Sequence, residues 1–318
     1  MPVYREQTSL PNWLGSMIAT SSKSTLKSWS MRPLILLLSL SLLAAADDPV
    51  IDYLLPNEEW ELVSEGHNYT EGLACASDGT LYFTDVRDSE LYQITPNESQ
   101  ILISDQTGKA NGIALSSDEK TLYLASNESQ EIRSYHIPSK KWEVLTKGTH
   151  ANDLVVTKTG HLYYTDPKGR KVWHVQLDTK ERQAADLDFA QPNGIGLSPD
   201  HHFLYVAHFP SDSIYRYQIE ADGSLTGKKP FFKAQLNPDK PRGLLDGMTS
   251  AANGELVIGT QIGAQILSRE GPTKLVIPSP NEHRCNYVTF GGLERRTLYG
   301  AFVSSIYKRK LNLKGASN

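Results

Sequence analysis

A polar residue followed by alternating small and branched apolar residues, a tight turn and a Leu-Tyr pair recurs along this chain at a nearly constant interval. The clearest copy begins at Asn193. It continues as Gly194-Ile195-Gly196-Leu197, turns at 199–202, and resumes as Leu204-Tyr205-Val206-Ala207-His208 before a third run from Ser213 to Ile219. The period is two, which indicates strands rather than helix. The opening polar residue falls at Glu71, Asn111, Asn152, Asn193, Asp246 and Asn286, with gaps of 40, 41, 41, 53 and 40. Five copies carry Leu-Tyr at the start of the second strand (Leu81-Tyr82, Leu122-Tyr123, Leu162-Tyr163, Leu204-Tyr205, Leu298-Tyr299), and the remaining copy has Leu256-Val257. Repeats of about 40 residues holding several short strands each are the signature of propeller blades or solenoids. The expected fold is therefore all-β, a six-bladed β-propeller of four-stranded antiparallel blades, with little or no helix after residue 47.

Two further features bear on closure. Residues 60–66 (Trp-Glu-Leu-Val-Ser-Glu-Gly) resemble residues 142–148 (Trp-Glu-Val-Leu-Thr-Lys-Gly), the outermost strand of one repeat, whereas the last repeat ends near Leu313 without an outer strand. The segment at Trp60 is thus expected to complete the last sheet, a clasp that removes exposed edges. The long gap before Asp246 marks an insertion whose parts 221–227 and 237–243, rich in Gly, Asp and Pro, read as loops. Cys75 and Cys285 lie in the first and last repeats but five strand positions out of register. That offset is about 16 Å at ~3.3 Å per strand residue, too far for a bridge, so two free buried thiols are expected.

Ahead of the repeats, Arg5, Lys23, Lys27 and Arg32 outweigh Glu6, and an apolar run at 33–43 leads into Ala44-Ala45-Ala46. That order reads as a secretory signal peptide, or an N-terminal anchor if uncleaved, over residues 1–46, with the propeller spanning 47–318. The run is shorter than the roughly 20 residues of a spanning helix. The expectation is an exported protein, periplasmic or secreted, with no membrane association after cleavage. Among the 318 residues, 32 basic and 36 acidic side chains give a net charge of −4. That balance offers no general basis for binding nucleic acid or an anionic membrane.

In a propeller, the residue opening each innermost strand points toward one mouth of the central channel. Here all six openers bear oxygen, two as carboxylates and four as amides. Such hard donors with two negative charges suit one divalent cation, Ca²⁺ ahead of Mg²⁺, Mn²⁺ or Zn²⁺.

The chain resembles the senescence marker protein 30/gluconolactonase/luciferin-regenerating enzyme-like family of six-bladed propellers, in its bacterial gluconolactonase form. The resemblance runs from about residue 58 to 313. It is carried by Glu71-Gly72-Leu73, Asn152-Asp153-Leu154-Val155-Val156 followed by Leu162-Tyr163-Tyr164-Thr165-Asp166-Pro167, Pro192-Asn193-Gly194-Ile195 and Leu245-Asp246-Gly247-Met248. It implies that Glu71, Asn152, Asn193 and Asp246 hold the cation, that Asp246 is catalytic as general base or as nucleophile, and that the substrate is a sugar lactone opened to its hydroxy acid. Asn111, Asn152 and His150 are the expected substrate contacts, although animal members of the family have arginine where this chain has His150. Thr165-Asp166-Pro167 reads as structural, a strand end leading into a turn. A phosphotriesterase or arylesterase using the same site, and an exported propeller that only binds a ligand, are the alternatives. Retention of both Glu71 and Asp246 favours an enzyme.

Overall fold

The computed structural model describes residues 52–317. Twenty-four strands form six four-stranded antiparallel sheets, the blades of a six-bladed β-propeller, and no helix is among these elements. In five blades the strands follow in chain order from the axis outward. The sixth consists of Tyr287–Gly291, Thr297–Phe302 and Ser305–Lys310, and its outer place is taken by Glu61–Glu65 from the start of the domain. The clasp pairs antiparallel through Glu61↔Lys308 and Leu62↔Tyr307, then slips across a bulge to Ser64↔Ile306. The segment at Trp60 therefore closes the ring as its sequence suggests. The indole itself packs edge-on to Phe302 at 5.1 Å and donates to the Pro278 carbonyl at 2.8 Å. Cys75 and Cys285 are free and buried. The segment read as a signal peptide lies outside the described residues.

The Leu-Tyr pair has a simple geometric basis. Adjacent residues of a strand point to opposite faces of the sheet, so each pair serves two seams. Leu162 packs into the core between the second and third blades, and Tyr163 into the core between the third and fourth. One blade further on, Leu204 joins Tyr163 in the seam between the third and fourth blades, and Tyr205 lies in the seam between the fourth and fifth. Leu298 and Tyr299 do so on either side of the last blade, and Leu81 and Tyr82 on either side of the first. Six apolar clusters thus occupy the six seams, and the fifth blade fills its pair with Leu256 and Val257. Each pair couples its sheet to both neighbours, and the ring is continuous only because the last blade also meets the first.

The insertion departs from expectation in one part. Residues 221–224 form a turn, and 237–243 form a loop with a single bridge, Asn237↔Lys240. Leu225-Thr226-Gly227, expected to be loop, instead begins the outer strand Leu225–Lys233, with Leu225 opposite Ile219 and Thr226 opposite Gln218. Pairing with an already ordered strand outweighs the turn preference of glycine, whose positive φ of 63° is taken up beside a register slip.

Leu204 is fully buried in its seam, whereas Leu187 is 69% exposed. Leu204→Ala should lower unfolding free energy by about 2–5 kcal/mol, because it empties a core position. Leu187→Ala should change it by no more than about 0.5 kcal/mol. Denaturant titration of both variants checks this, and equal losses would contradict the assignment of the seams.

Candidate metal and catalytic site at the channel mouth

The six openers stand where the inner strands begin. In the first, second and fourth blades the ladder slips across the opener and the glycine after it, between Thr70 and Leu73, Ala110 and Ile113, and Pro192 and Ile195. A neighbouring blade then engages the freed backbone. The Asn111 carbonyl accepts from the Thr84 hydroxyl at 2.7 Å, and that of Asn193 from the Thr165 hydroxyl at 2.7 Å. The carbonyls of Asn152 and Asn286 accept from the Gly112 and Gly247 N–H groups at 2.8 and 2.9 Å. Close approach makes some of these glycines obligatory: a Cβ on Gly194 would overlap the Asp246 carbonyl oxygen, and one on Gly247 would overlap the Tyr287 ring.

With the four asparagine carbonyls tied to neighbouring blades, their side chains are left for the channel mouth. Glu71 Oε2 and the Oδ1 atoms of Asn111, Asn152, Asn193 and Asn286 are all buried, and none accepts a hydrogen bond from the described residues. Asn286 is oriented by its amide, whose Nδ2 donates to the Thr70 carbonyl at 3.0 Å. Both oxygens of Asp153, a fully buried residue, likewise have no partner among the described residues. So many unsatisfied acceptors in one place are rare in a folded chain, where most buried polar groups are paired. One cation among them would satisfy several at once, so the donor set fits a hard divalent ion.

Electrostatics leads to the same cation. Burial pushes Glu71 well above the usual carboxylate range, and the charge of Asp246 pushes it further. Asp153 is raised by burial and then by Asp246. Burial lifts Asp246 to about 6, and Arg284 restrains the rise. Arg284 Nη1 donates to Asp246 Oδ2 at 2.8 Å, and its Nη2 to the Tyr69 hydroxyl at 2.8 Å. Three carboxylates and one guanidinium sum to −2 when all are ionised, the charge that a divalent cation cancels. The Tyr287 ring shares this site, and its hydroxyl is raised by burial and by the three carboxylates.

Of the residues expected from sequence, Glu71, Asn111, Asn152, Asn193 and Asp246 all lie in this ring. His150 lies on its shoulder, half-buried, with Nε2 3.1 Å from Lys168 Nζ. Asp166 accepts from the Gly169 N–H at 2.7 Å and the Thr149 hydroxyl at 3.0 Å, and Asp85 accepts from the N–H groups of Asn68 and Tyr69, so both act as braces for the rim loops. Sequence reasoning gives Asp153, Arg284, Tyr69 and Tyr287 no role in the site. Two signals could have found them. Asp153 and Tyr287 occupy the place after the opener where the other four repeats have Gly72, Gly112, Gly194 and Gly247. Tyr69 and Arg284 stand two residues before an opener, the same offset as His150.

This fold belongs to a known class of propellers. The model of the SMP-30/Gluconolactonase/LRE-like region matches residues 64–304, and the chain is a member of that family. It is 25% identical over 262 residues to a gluconolactonase of Zymomonas mobilis, covering 70% of this chain and 72% of that protein. Among solved structures, a gluconolactonase from Xanthomonas campestris superposes with a TM-score of 0.71 at 22% identity, covering 81% of this chain and 91% of the other. Regucalcin from Agrobacterium tumefaciens, a calcium-binding protein, superposes with a TM-score of 0.70 at 16% identity, covering 81% and 95%. At these identities the structural likeness speaks to the fold.

Carboxylates with raised folded-state pKa values hold protons that the unfolded chain has lost, so stability falls as pH rises through them. In a chelator the melting temperature should therefore drop between about pH 4, the ordinary carboxylate range, and pH 8. Added Ca²⁺ should flatten that dependence, contributing about 2.7 kcal/mol at a hundredfold excess over Kd. Scanning calorimetry with EDTA and with CaCl₂ at both ends of the range checks this. Identical curves would argue against a cation site.

Proposed function

We propose that this chain is a divalent-cation-dependent hydrolase, gluconolactonase-like, that opens a small lactone to its hydroxy acid, with Ca²⁺ as the cation. The observation that carries the reading is the ring of unpartnered buried oxygens around a net charge of −2 at the channel mouth. The similarity to a gluconolactonase supports lactone chemistry.

Glu71, Asn152, Asn193 and Asp246 would hold the cation, with Asp153 adding charge from its place beside Gly112. Bound there, a divalent ion polarises a carbonyl and offsets the charge that develops on its oxygen. The protein supplies the rest. Arg284 opposes protonation of Asp246 and orients it, and is itself hydrogen-bonded to the Tyr69 hydroxyl. From that position Asp246 takes a proton from water as the new C–O bond forms at the lactone carbonyl. As the ring C–O bond breaks, the leaving alkoxide recovers the proton, and the product is a hydroxy acid. Asn111, Asn152 and His150 would be the groups that hydrogen-bond the hydroxyls of a sugar lactone, in keeping with the unpartnered Oδ1 atoms of the two asparagines.

Asp246→Asn should lower kcat for glucono-1,5-lactone by at least about 10²-fold. Because one buried charge is removed, its melting temperature in EDTA should not fall. Titrimetric assay beside calorimetry tests both statements, and an unchanged kcat would remove Asp246 from the chemistry.

A further inference from the structure

Beside the ring lies a second concavity of about 680 Å³, within the size range of small-ligand sites. It opens between the rim loops of the third, fourth and fifth blades and is lined by Lys168, Arg170, His208 and Arg242, with Gln191 and Pro210. Among the described residues, no carboxylate lines it. Arg170 is paired with Asp188 at 2.7 Å. Lys168 meets the imidazole of His150 and Arg242 the ring of Phe209, and among the described residues neither forms an ion pair. The charge of this wall is thus incompletely compensated, although the whole protein is acidic.

The backbone at Arg242 is anchored, and its side chain is exposed. Its own N–H donates to the Lys240 carbonyl at 2.6 Å, and the Gly243 N–H donates to the Pro210 carbonyl at 3.3 Å, which ties the insertion loop to the turn after His208. Its guanidinium lies 5.7 Å from the centre of the Phe209 ring, and the guanidinium of Arg284 lies 5.9 Å from the same ring. A single aromatic side chain therefore separates the cationic pocket from the arginine that grips Asp246. A substrate at the channel mouth would reach this pocket by extending past Phe209.

We infer that the substrate is a lactone bearing an anionic group, carboxylate or phosphate, away from its ester, and that Lys168 and Arg242 hold that group in the cationic pocket. The inference rests on the lactonase reading for the word lactone, but the anion subsite has its own readout. Lysine and arginine are the side chains that recognise carboxylate and phosphate through charge-assisted hydrogen bonds. The repeat that places Asn152 and Asn193 also places the turns at Pro167 and Pro210 at the ends of equivalent second strands, and the insertion adds Arg242 to them.

The test has a kinetic arm and a binding arm. In the first, kcat/KM with Ca²⁺ is measured for glucono-1,5-lactone, for its 6-phosphate and for a glucaric acid lactone. At least one charged lactone should exceed the neutral one by about tenfold or more, and whichever does so distinguishes phosphate from carboxylate. The ratio should fall toward one in the folded Lys168→Ala/Arg242→Ala variant and with rising salt. In the second, isothermal titration compares glucose 6-phosphate and glucuronate with glucose. An anionic sugar should bind at least tenfold more tightly than glucose, and Arg242→Glu should abolish the difference. Neutral and charged lactones hydrolysed alike, with no preferential anion binding, would overturn the subsite and leave the lactonase reading intact. Preferential anion binding with no lactone hydrolysed by any divalent form would do the reverse.

Discussion

Negative charge confined to a dry axis is the constraint on which the rest of this protein depends. Glu71, Asp153 and Asp246 are withdrawn from water at one mouth of the ring, and among the described residues Arg284 is the cation that opposes them. Burying an ionised carboxylate without a partner costs several kcal/mol. The folded state therefore has to bind protons there or bind a cation. This dependence joins stability to chemistry: the arrangement that makes the cation-free protein costly is the one that fits the cation for electrophilic work.

The propeller architecture makes this concentration of charge attainable. No single sheet brings six side chains to one point, but six sheets around an axis do so with one residue each. The Leu-Tyr pairs stitch each sheet to its two neighbours, and the clasp at Glu61–Glu65 closes the last seam. The neighbouring blade takes up the opener's carbonyl in four cases, which leaves the side chain for the channel mouth. Packing between blades thus sets the aim of the ligands, and the tight glycines at 194 and 247 record how little space remains.

The openers are legible because the repeat puts them in register, so that six weak turn signals become one pattern. Asp153 escapes notice inside its own motif and stands out only against the other repeats, where glycine holds its place. Arg284 escapes because a guanidinium before a strand looks like any rim residue until the fold carries it across to Asp246 and Tyr69. The start of the strand at Leu225 is hidden for the opposite reason: its local residues favour a turn, and only its pairing partner overrides them. His150 is singled out by position, and its neighbour Lys168 belongs to a turn 18 residues further on, which no local pattern connects to it.

Periodicity along the chain determined by itself the class of fold, the number of blades, the clasp and the ring of oxygen donors, because each of these repeats at a fixed interval and a repeat survives in one dimension. The tertiary structure alone decided which carboxylate meets the arginine, which acceptors go without a donor, and that a cationic pocket stands one aromatic ring away from the arginine on Asp246. Those are relations between blades. They depend on distances across the axis and over the rim, and on the loss of water there, and residue order encodes them only through the closed ring.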